Sequence, residues 1–130
     1  MKKITLILLI IFCSSYISIA SNSPLADNGN YKALFIGIDN YNVNGLDNLT
    51  SSSKDSRLLK TLLEKKYGFA NSEILINEEA TKGNIITSLK KLVANVGEDD
   101  HLLIFFAGHG AEIKNEGYWV PASASSMETS

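Results

Sequence analysis

The sequence predicts an α/β fold in which helices pack on both faces of a mainly parallel sheet, giving three layers. The first observation behind this is the order of its periodic segments, which run strand, helix, strand, helix, strand between residues 31 and 107. The second is that the strands are short apolar runs bounded by turn residues, as in sheets covered on both faces. Right-handed crossovers through the helices would make these strands parallel. The 130 residues suit one small domain.

The first strand is predicted at residues 31–38, YKALFIGI, and a long polar loop follows at residues 39–53. Long loops in compact domains are often functional. The first helix is predicted at residues 54–67, where apolar side chains form one helical face. These side chains are Leu58, Leu59, Leu62, Leu63 and Tyr67. Gly68 is expected to end the helix as a C-cap.

The second strand is predicted at residues 73–77, and Thr81 can then cap a second helix. The apolar side of this helix comprises Ile85, Ile86, Leu89, Leu92, Val93 and Val96. Gly97 and the acidic residues after it are expected to close the helix.

The third strand is predicted at residues 101–107, a continuous apolar run that is typical of a buried strand. Two short segments on either side of residues 115–117, Asn-Glu-Gly, then predict a β-hairpin. Residues 122–130 contain neither a helix stop nor a closing strand, so we expect the domain to be incomplete.

The first 20 residues are interpreted as a secretory signal peptide. Lys2 and Lys3 precede an apolar run at residues 4–12, and Ala20 ends a small-x-small cleavage site. A run of nine residues is too short to span a bilayer comfortably. We therefore expect an exported, periplasmic or extracellular protein with no stable membrane span after cleavage. An uncleaved membrane anchor is the alternative.

Residues 21–30, SNSPLADNGN, predict a linker, which leaves residues 31–130 for the domain. Without Lys2 and Lys3, 10 basic and 14 acidic side chains remain, a net charge of −4. No basic block is present, so nucleic acid is not expected as a partner. Cys13 is the sole cysteine and lies in the predicted signal, so the mature chain would contain no disulfide and no thiol nucleophile.

The strongest chemical signal is the end of the third strand, where the apolar run stops at Gly108, His109 and Gly110. The carboxyl ends of parallel strands meet at one edge, where sites form, so Asp39 after the first strand would share that edge. A histidine there can act as a general acid or base. The glycines leave backbone amides open to a bound group. A loop histidine hydrogen-bonded for structure is the alternative.

Other polar residues have simpler interpretations. Asp55 lies at the head of the first helix, where it is either a helix-dipole carboxylate or the acid of a pocket for a basic group. His101 begins its strand at the opposite edge and is interpreted as structural. Residues 98–100, Glu-Asp-Asp, predict a solvated turn, with a metal site as a remote alternative. Neither a nucleotide-binding loop nor a serine nucleophile elbow is present.

Together these segments resemble the first part of the caspase-like (clan CD) cysteine peptidases, on the metacaspase and bacterial caspase-domain side. The matching stretches are YKALFIGID (31–39), KDSR (54–57), LEKKYGF (63–69), NEEAT (77–81), LIFFAGHG (103–110) and GYWVP (117–121). The resemblance implies a caspase-like (flavodoxin-like) sandwich and proteolysis of peptide or protein substrates.

The resemblance also implies roles for individual residues. His109 would be the general acid/base of a peptidase that attacks with a cysteine thiolate, and the amide of Gly110 would help form the oxyanion hole. Asp55 matches the acid that, in metacaspase-like members, receives the Lys or Arg side chain before the scissile bond. Asp39 is a further candidate for substrate binding. Ser52 stands where some members have a cysteine, which is a departure from their pattern.

The main departure concerns the nucleophile, which in caspases lies about 50 residues after the histidine. That position is beyond Ser130, so we expect the chain as given to hold half of a dyad and to be inactive. No cofactor or metal is expected, and no site is identified for the calcium that activates some metacaspases. Two other functions stay open: a non-catalytic pseudo-peptidase that binds a partner, and a flavodoxin-like domain that binds a ligand at the strand ends.

Overall fold

A computed structural model describes residues 29–125. Its main elements, in chain order, are β1 (Tyr31–Gly37), α1 (Ser52–Tyr67), β2 (Glu73–Ile76), α2 (Lys82–Ala94), β3 (His101–Ala107), β4 (Gly110–Ile113) and β5 (Glu116–Trp119). A short 3₁₀ turn, Asn77–Glu79, joins β2 to α2. The predicted signal peptide and residues 21–28 of the predicted linker lie outside the described residues.

β1 occupies the centre of a three-stranded parallel sheet with the order β2-β1-β3. Leu34 of β1 lies opposite Glu73 of β2 on one side and Ile104 of β3 on the other. α1 connects β1 to β2, and α2 connects β2 to β3, because parallel neighbours need a crossover connection. The predicted parallel sheet is confirmed.

Alternate side chains of β1 enter two separate cores. Leu34 and Ile36 pack on the side of α2 with Ile85, whereas Phe35 packs on the other side, where Leu59 of α1 covers it. Full burial of such a side chain contributes roughly 1.5–3 kcal/mol to folding. The sheet therefore lies between two helical layers, as predicted for a three-layer sandwich.

Capping interactions set the ends of both helices. α1 begins at Ser52, two residues earlier than predicted, because the carboxylate of Asp39 accepts hydrogen bonds from its first backbone N–H groups. Gly68 ends α1 with a left-handed φ of 78°, as predicted. The hydroxyl of Thr81 accepts from a backbone N–H in the first turn of α2, also as predicted.

Each helix leaves part of its predicted apolar face exposed. On α1, Leu59 and Leu63 pack against the sheet, but Leu58 and Leu62 are 58% and 43% exposed. On α2, Val93 is 67% exposed. The prediction was correct for the existence of both helices, but α2 ends at Ala94, before the expected Gly97. The predicted apolar faces were too wide, because the described three-stranded sheet offers too little surface to cover them. Within residues 29–125, neither helix has the length and apolar content that crossing a bilayer requires.

β3 is an edge strand, although its apolar sequence predicted a buried one. Leu102 and Ile104 are 43% and 42% exposed, since no described strand pairs with the outer side of β3. Such an edge presents unpaired backbone groups next to apolar side chains, which favours association with other chains. Among the described residues, the sheet therefore has a hydrophobic edge at β3.

β4 and β5 form the predicted hairpin. Lys114 and Asn115 both adopt left-handed φ values, 53° and 64°, as a two-residue type I′ turn requires. The hairpin is anchored to the sheet by Trp119, whose ring stacks on Phe106 of β3 at a centroid distance of 4.7 Å. This contact places the hairpin beside the carboxyl end of β3.

We expect residues 21–130 to self-associate through the edge of β3, and Ile104→Lys should increase the monomeric fraction severalfold. A charged side chain on an edge strand opposes pairing with another strand. Size-exclusion chromatography with light scattering measures the effect. Leu58→Lys is the matched control, because it places the same charge at an exposed leucine of α1. Equal gains from both variants would show that general surface hydrophobicity drives the association.

Gly68→Ala should destabilise the domain by about 1–2 kcal/mol, because an L side chain is strained in the left-handed region. Gly83→Ala is the control, since a methyl group added there meets no atom within 4 Å. Gly83 lies in the first turn of α2, so this change should stabilise by up to about 1 kcal/mol. Urea unfolding at low protein concentration, followed by circular dichroism, measures both. Equal stability of the two variants would contradict the capping role of Gly68.

Candidate active site

His109 lies in the connection between β3 and β4, at the carboxyl edge of the sheet. Its ring is partly exposed, and Nε2 lies 2.7 Å from the carbonyl oxygen of Asp47. A carbonyl oxygen can only accept, so Nε2 carries the hydrogen and Nδ1 is the basic atom of the neutral ring. Nδ1 has no hydrogen-bond partner among residues 29–125. The ring is therefore oriented by one nitrogen and can exchange protons through the other.

The two glycines on either side of His109 differ in their surroundings. A Cβ at Gly108 would lie 2.5 Å from the hydroxyl of Tyr41, so the backbone there has no room for a side chain. A Cβ at Gly110 would approach no atom closer than 3.6 Å. The backbone N–H of Val120 donates to the carbonyl of His109. By the alternation of an antiparallel ladder, the N–H of Gly110 then points away from β5 and is not used in the hairpin.

The carboxylate of Asp39 is held at the amino end of α1. It accepts the backbone N–H of Ser52 at 2.7 Å, the backbone N–H of Ser53 at 3.2 Å and the hydroxyl of Ser53. Burial raises the pKa of Asp39, but the hydrogen bonds from Ser53 and Ser52 outweigh it and hold the pKa below its usual value. Both oxygens are thus engaged in fixing the helix, and contact between Asp39 and substrate stays a prediction.

Asp55 lies in the first turn of α1 with its side chain exposed. Its carboxylate forms no hydrogen bond or ion pair with another residue in the range 29–125. α1 starts near the carboxyl end of β1, so Asp55 and His109 lie at the same edge of the sheet. Asp55 is therefore an accessible carboxylate at the same sheet edge as His109, whereas the carboxylate of Asp39 is engaged in hydrogen bonds.

The loop after β1 is held in place by amide side chains. Oδ1 of Asn77, at the end of β2, accepts the backbone N–H of Asp39 at 2.7 Å. Oδ1 of Asn48 accepts the backbone N–H of Tyr41, also at 2.7 Å. These bonds fold the loop back towards the sheet edge, so that the carbonyl of Asp47 meets the ring of His109.

The sequence did not predict the parts played by Tyr41, Asp47 and Asn48, although all three lie in the loop predicted to be functional. Asp47 acts through its carbonyl, which every residue has, so its type gives no signal. Tyr41 is buried, 5% exposed, and its hydroxyl accepts the backbone N–H of His109 at 2.9 Å. Tyr41 is the sole aromatic residue of that loop, and this was the one available signal.

His101 and the acidic turn lie at the opposite edge of the sheet. His101 starts β3 and stacks on Tyr31 at a centroid distance of 4.7 Å. The carboxylate of Asp100 accepts the backbone N–H of Gly97 at 2.9 Å and the Lys32 ammonium at 2.6 Å. The hydrogen bond from the Gly97 N–H makes the largest contribution, followed by that from Lys32, and together such bonds hold the pKa of Asp100 well below its usual range. Among residues 29–125, no three His, Cys, Asp or Glu side chains are grouped to hold a metal ion.

The sequence of this chain is similar to those of known peptidase domains. The family model "Metacaspase, peptidase C14 domain" matches residues 31–122. Metacaspase III c of Phaeodactylum tricornutum is 32% identical over 99 residues, which are 72% of this chain and 29% of that protein. Metacaspase-1 of Schizosaccharomyces pombe is 30% identical over 95 residues, 67% of this chain and 22% of that protein.

A third relative, metacaspase-1 of Ajellomyces capsulatus, is 28% identical over 95 residues, 67% of this chain and 26% of that protein. The chain thus spans about a quarter of the length of these relatives. The family match extends from β1 to just beyond β5 and includes His109. The chain belongs to the metacaspase family of caspase-like peptidase domains.

Proposed function

We propose that this chain supplies the histidine-bearing part of a caspase-like cysteine endopeptidase site. The observation that carries the proposal is the orientation of the His109 ring: Nε2–H is fixed on the Asp47 carbonyl, and Nδ1 has no partner among the described residues. The nucleophile would come from polypeptide other than residues 21–130, since Cys13 is the only cysteine in the sequence. The 130-residue chain alone would then hydrolyse no peptide bond.

In the proposed reaction, Nδ1 of His109 accepts the proton of the thiol, and the thiolate attacks the substrate carbonyl carbon. The imidazolium that forms is stabilised through Nε2–H by the negative end of the Asp47 carbonyl dipole. As the C–N bond breaks, Nδ1 returns the proton to the leaving amine. The N–H of Gly110 points away from the hairpin and would stabilise the negative oxygen of the tetrahedral intermediate.

Asp55 supports cleavage after Lys or Arg. Its exposed carboxylate has no partner among the described residues and lies at the same edge as His109. An incoming basic side chain would form a charge-assisted hydrogen bond there. Asp39 would act indirectly, because it holds the amino end of the helix that positions Asp55.

The proposal includes the predicted signal peptide, so the enzyme would act in the periplasm or outside the cell. A non-catalytic module that binds peptides is the second candidate, favoured by the absence of a cysteine from residues 21–130. Both functions, the endopeptidase and the binding module, would use the surface around His109 and Asp55. They differ only in whether a cysteine thiol lies beside His109.

The decisive experiment reads the gene beyond codon 130 and expresses the in-frame continuation. We expect a cysteine about 50 residues after His109 and hydrolysis of peptides with Arg or Lys before the scissile bond. His109→Ala should lower kcat/KM by at least about 100-fold. His101→Ala, at the opposite edge, is the control and should leave kcat/KM unchanged. A continuation without a cysteine would support the binding module instead.

Asp55→Asn should lower kcat/KM for arginine substrates at least about tenfold, because it removes a charge-assisted hydrogen bond. Hydrolysis of a peptide with a neutral residue at that position should not fall. Glu64→Gln is the control on the same helix, since Glu64 pairs with Lys60 away from the site. If Asp55→Asn lowers only thermal stability and leaves the preference for arginine intact, Asp55 is a helix-dipole carboxylate.

A further inference from the structure

Tyr41 touches His109 at both its backbone and its ring. The Tyr41 hydroxyl accepts the backbone N–H of His109 at 2.9 Å and donates to the carbonyl of Val120 at the longer distance of 3.4 Å. The two aromatic rings meet edge to face, with centroids 4.8 Å apart and planes at 60°. The phenol hydroxyl therefore lies between the N–H of His109 and the carbonyl of Val120, which would otherwise accept this N–H in the β-ladder.

Tyr41 also controls the group that orients the imidazole. Its backbone N–H donates to Oδ1 of Asn48, and Asn48 adjoins Asp47, whose carbonyl accepts Nε2–H of His109. One buried side chain therefore fixes the backbone that carries the histidine, and its own backbone fixes the loop that orients the ring.

The hydroxyl of Tyr41, rather than its ring alone, is accommodated by the backbone. A Cβ at position 108 would lie 2.5 Å from that hydroxyl oxygen, so the glycine before the histidine makes room for the phenol oxygen. The neighbouring ring of Phe106 would also be crowded, at 2.9 Å. A residue that merely filled the core would not need a polar atom at this point.

We propose that Tyr41 is a positioning residue for His109, which keeps Nε2 on the Asp47 carbonyl and Nδ1 open to a reacting group. Burial raises the pKa of Tyr41, and the hydrogen bond from the His109 N–H only partly offsets this, so the phenol keeps its proton at neutral pH. It can therefore go on donating to Val120. The benefit to catalysis rests on the proposed peptidase function, whereas the positioning is a property of this chain.

The test follows Nε2–H of His109 by NMR in the full chain labelled with ¹⁵N-histidine. His101 is the only other histidine and gives an internal reference in each spectrum. In the unchanged chain we expect His109 in the Nε2–H tautomer, with this proton protected from exchange with water. Tyr41→Phe keeps the ring and removes the hydroxyl. It should accelerate the exchange of this proton about five- to tenfold and leave His101 unchanged.

Tyr118→Phe is the matched control, because Tyr118 also bonds through its hydroxyl, to Glu116 at 2.6 Å on the exposed hairpin. It should alter neither histidine. Asn48→Ala changes an exposed residue and frees only the backbone N–H of Tyr41. It should accelerate the Nε2–H exchange of His109 about twofold or more, so the proposal can be tested even if Tyr41→Phe does not fold.

The proposal is overturned if His109 behaves alike in the unchanged chain, in Tyr41→Phe and in Asn48→Ala. It is equally overturned if the unchanged ring is in the Nδ1–H tautomer, or if both histidines change together, which would indicate general loosening. Failure of the peptidase proposal would show separately, as absence of hydrolysis by the extended protein with Tyr41 intact.

Discussion

The close packing of α1 on the end of β1 is the contact on which the arrangement of the site depends. A Cβ at Gly37 would lie 2.5 Å from the hydroxyl of Ser56 and 2.6 Å from the carbonyl of Ser52, so the first turn of α1 rests directly on the strand backbone. Ser56 is fully buried and its hydroxyl donates to the carbonyl of Ile36. In this position, the first backbone N–H groups of α1 donate hydrogen bonds to the carboxylate of Asp39. Asp55, in the same turn, is exposed to solvent at this edge of the sheet.

At this edge the imidazole of His109 contacts a neutral carbonyl, whereas the histidine of serine peptidases contacts a carboxylate. A carboxylate beside the histidine fixes the tautomer and stabilises the imidazolium formed when serine is deprotonated. The Asp47 carbonyl fixes the tautomer of His109 but carries no net charge. An ordinary thiol has a pKa of about 8.5, much closer to the roughly 6.5 of an imidazole than a hydroxyl is. Under the proposed function, proton transfer to His109 would therefore need less help from a thiol than from a hydroxyl.

The sequence predicted those features that depend on residue type and local pattern. The order of the elements, the cap at Thr81 and the edge position of His109 follow from periodicity, side-chain oxygens and parallel connectivity. The orientation of His109 does not, because it is set by a main-chain oxygen at Asp47 and by a phenol that is distant in sequence. Likewise, the apolar pattern predicts that Leu58 is buried, but it does not reveal that the described sheet is too narrow to cover this side chain.

The exposed edge of β3 and the proposed nucleophile concern one place in the fold. A strand added parallel to β3 would cover Leu102 and Ile104 and would end beside His109, because the carboxyl ends of parallel strands share an edge. Under the proposed function, the segment that buries this edge therefore also brings the nucleophile to Nδ1. Burial of the edge and assembly of the dyad would then be one event, so peptide hydrolysis would be possible only when the sheet is closed. An edge with free backbone groups and apolar side chains favours that closure by itself.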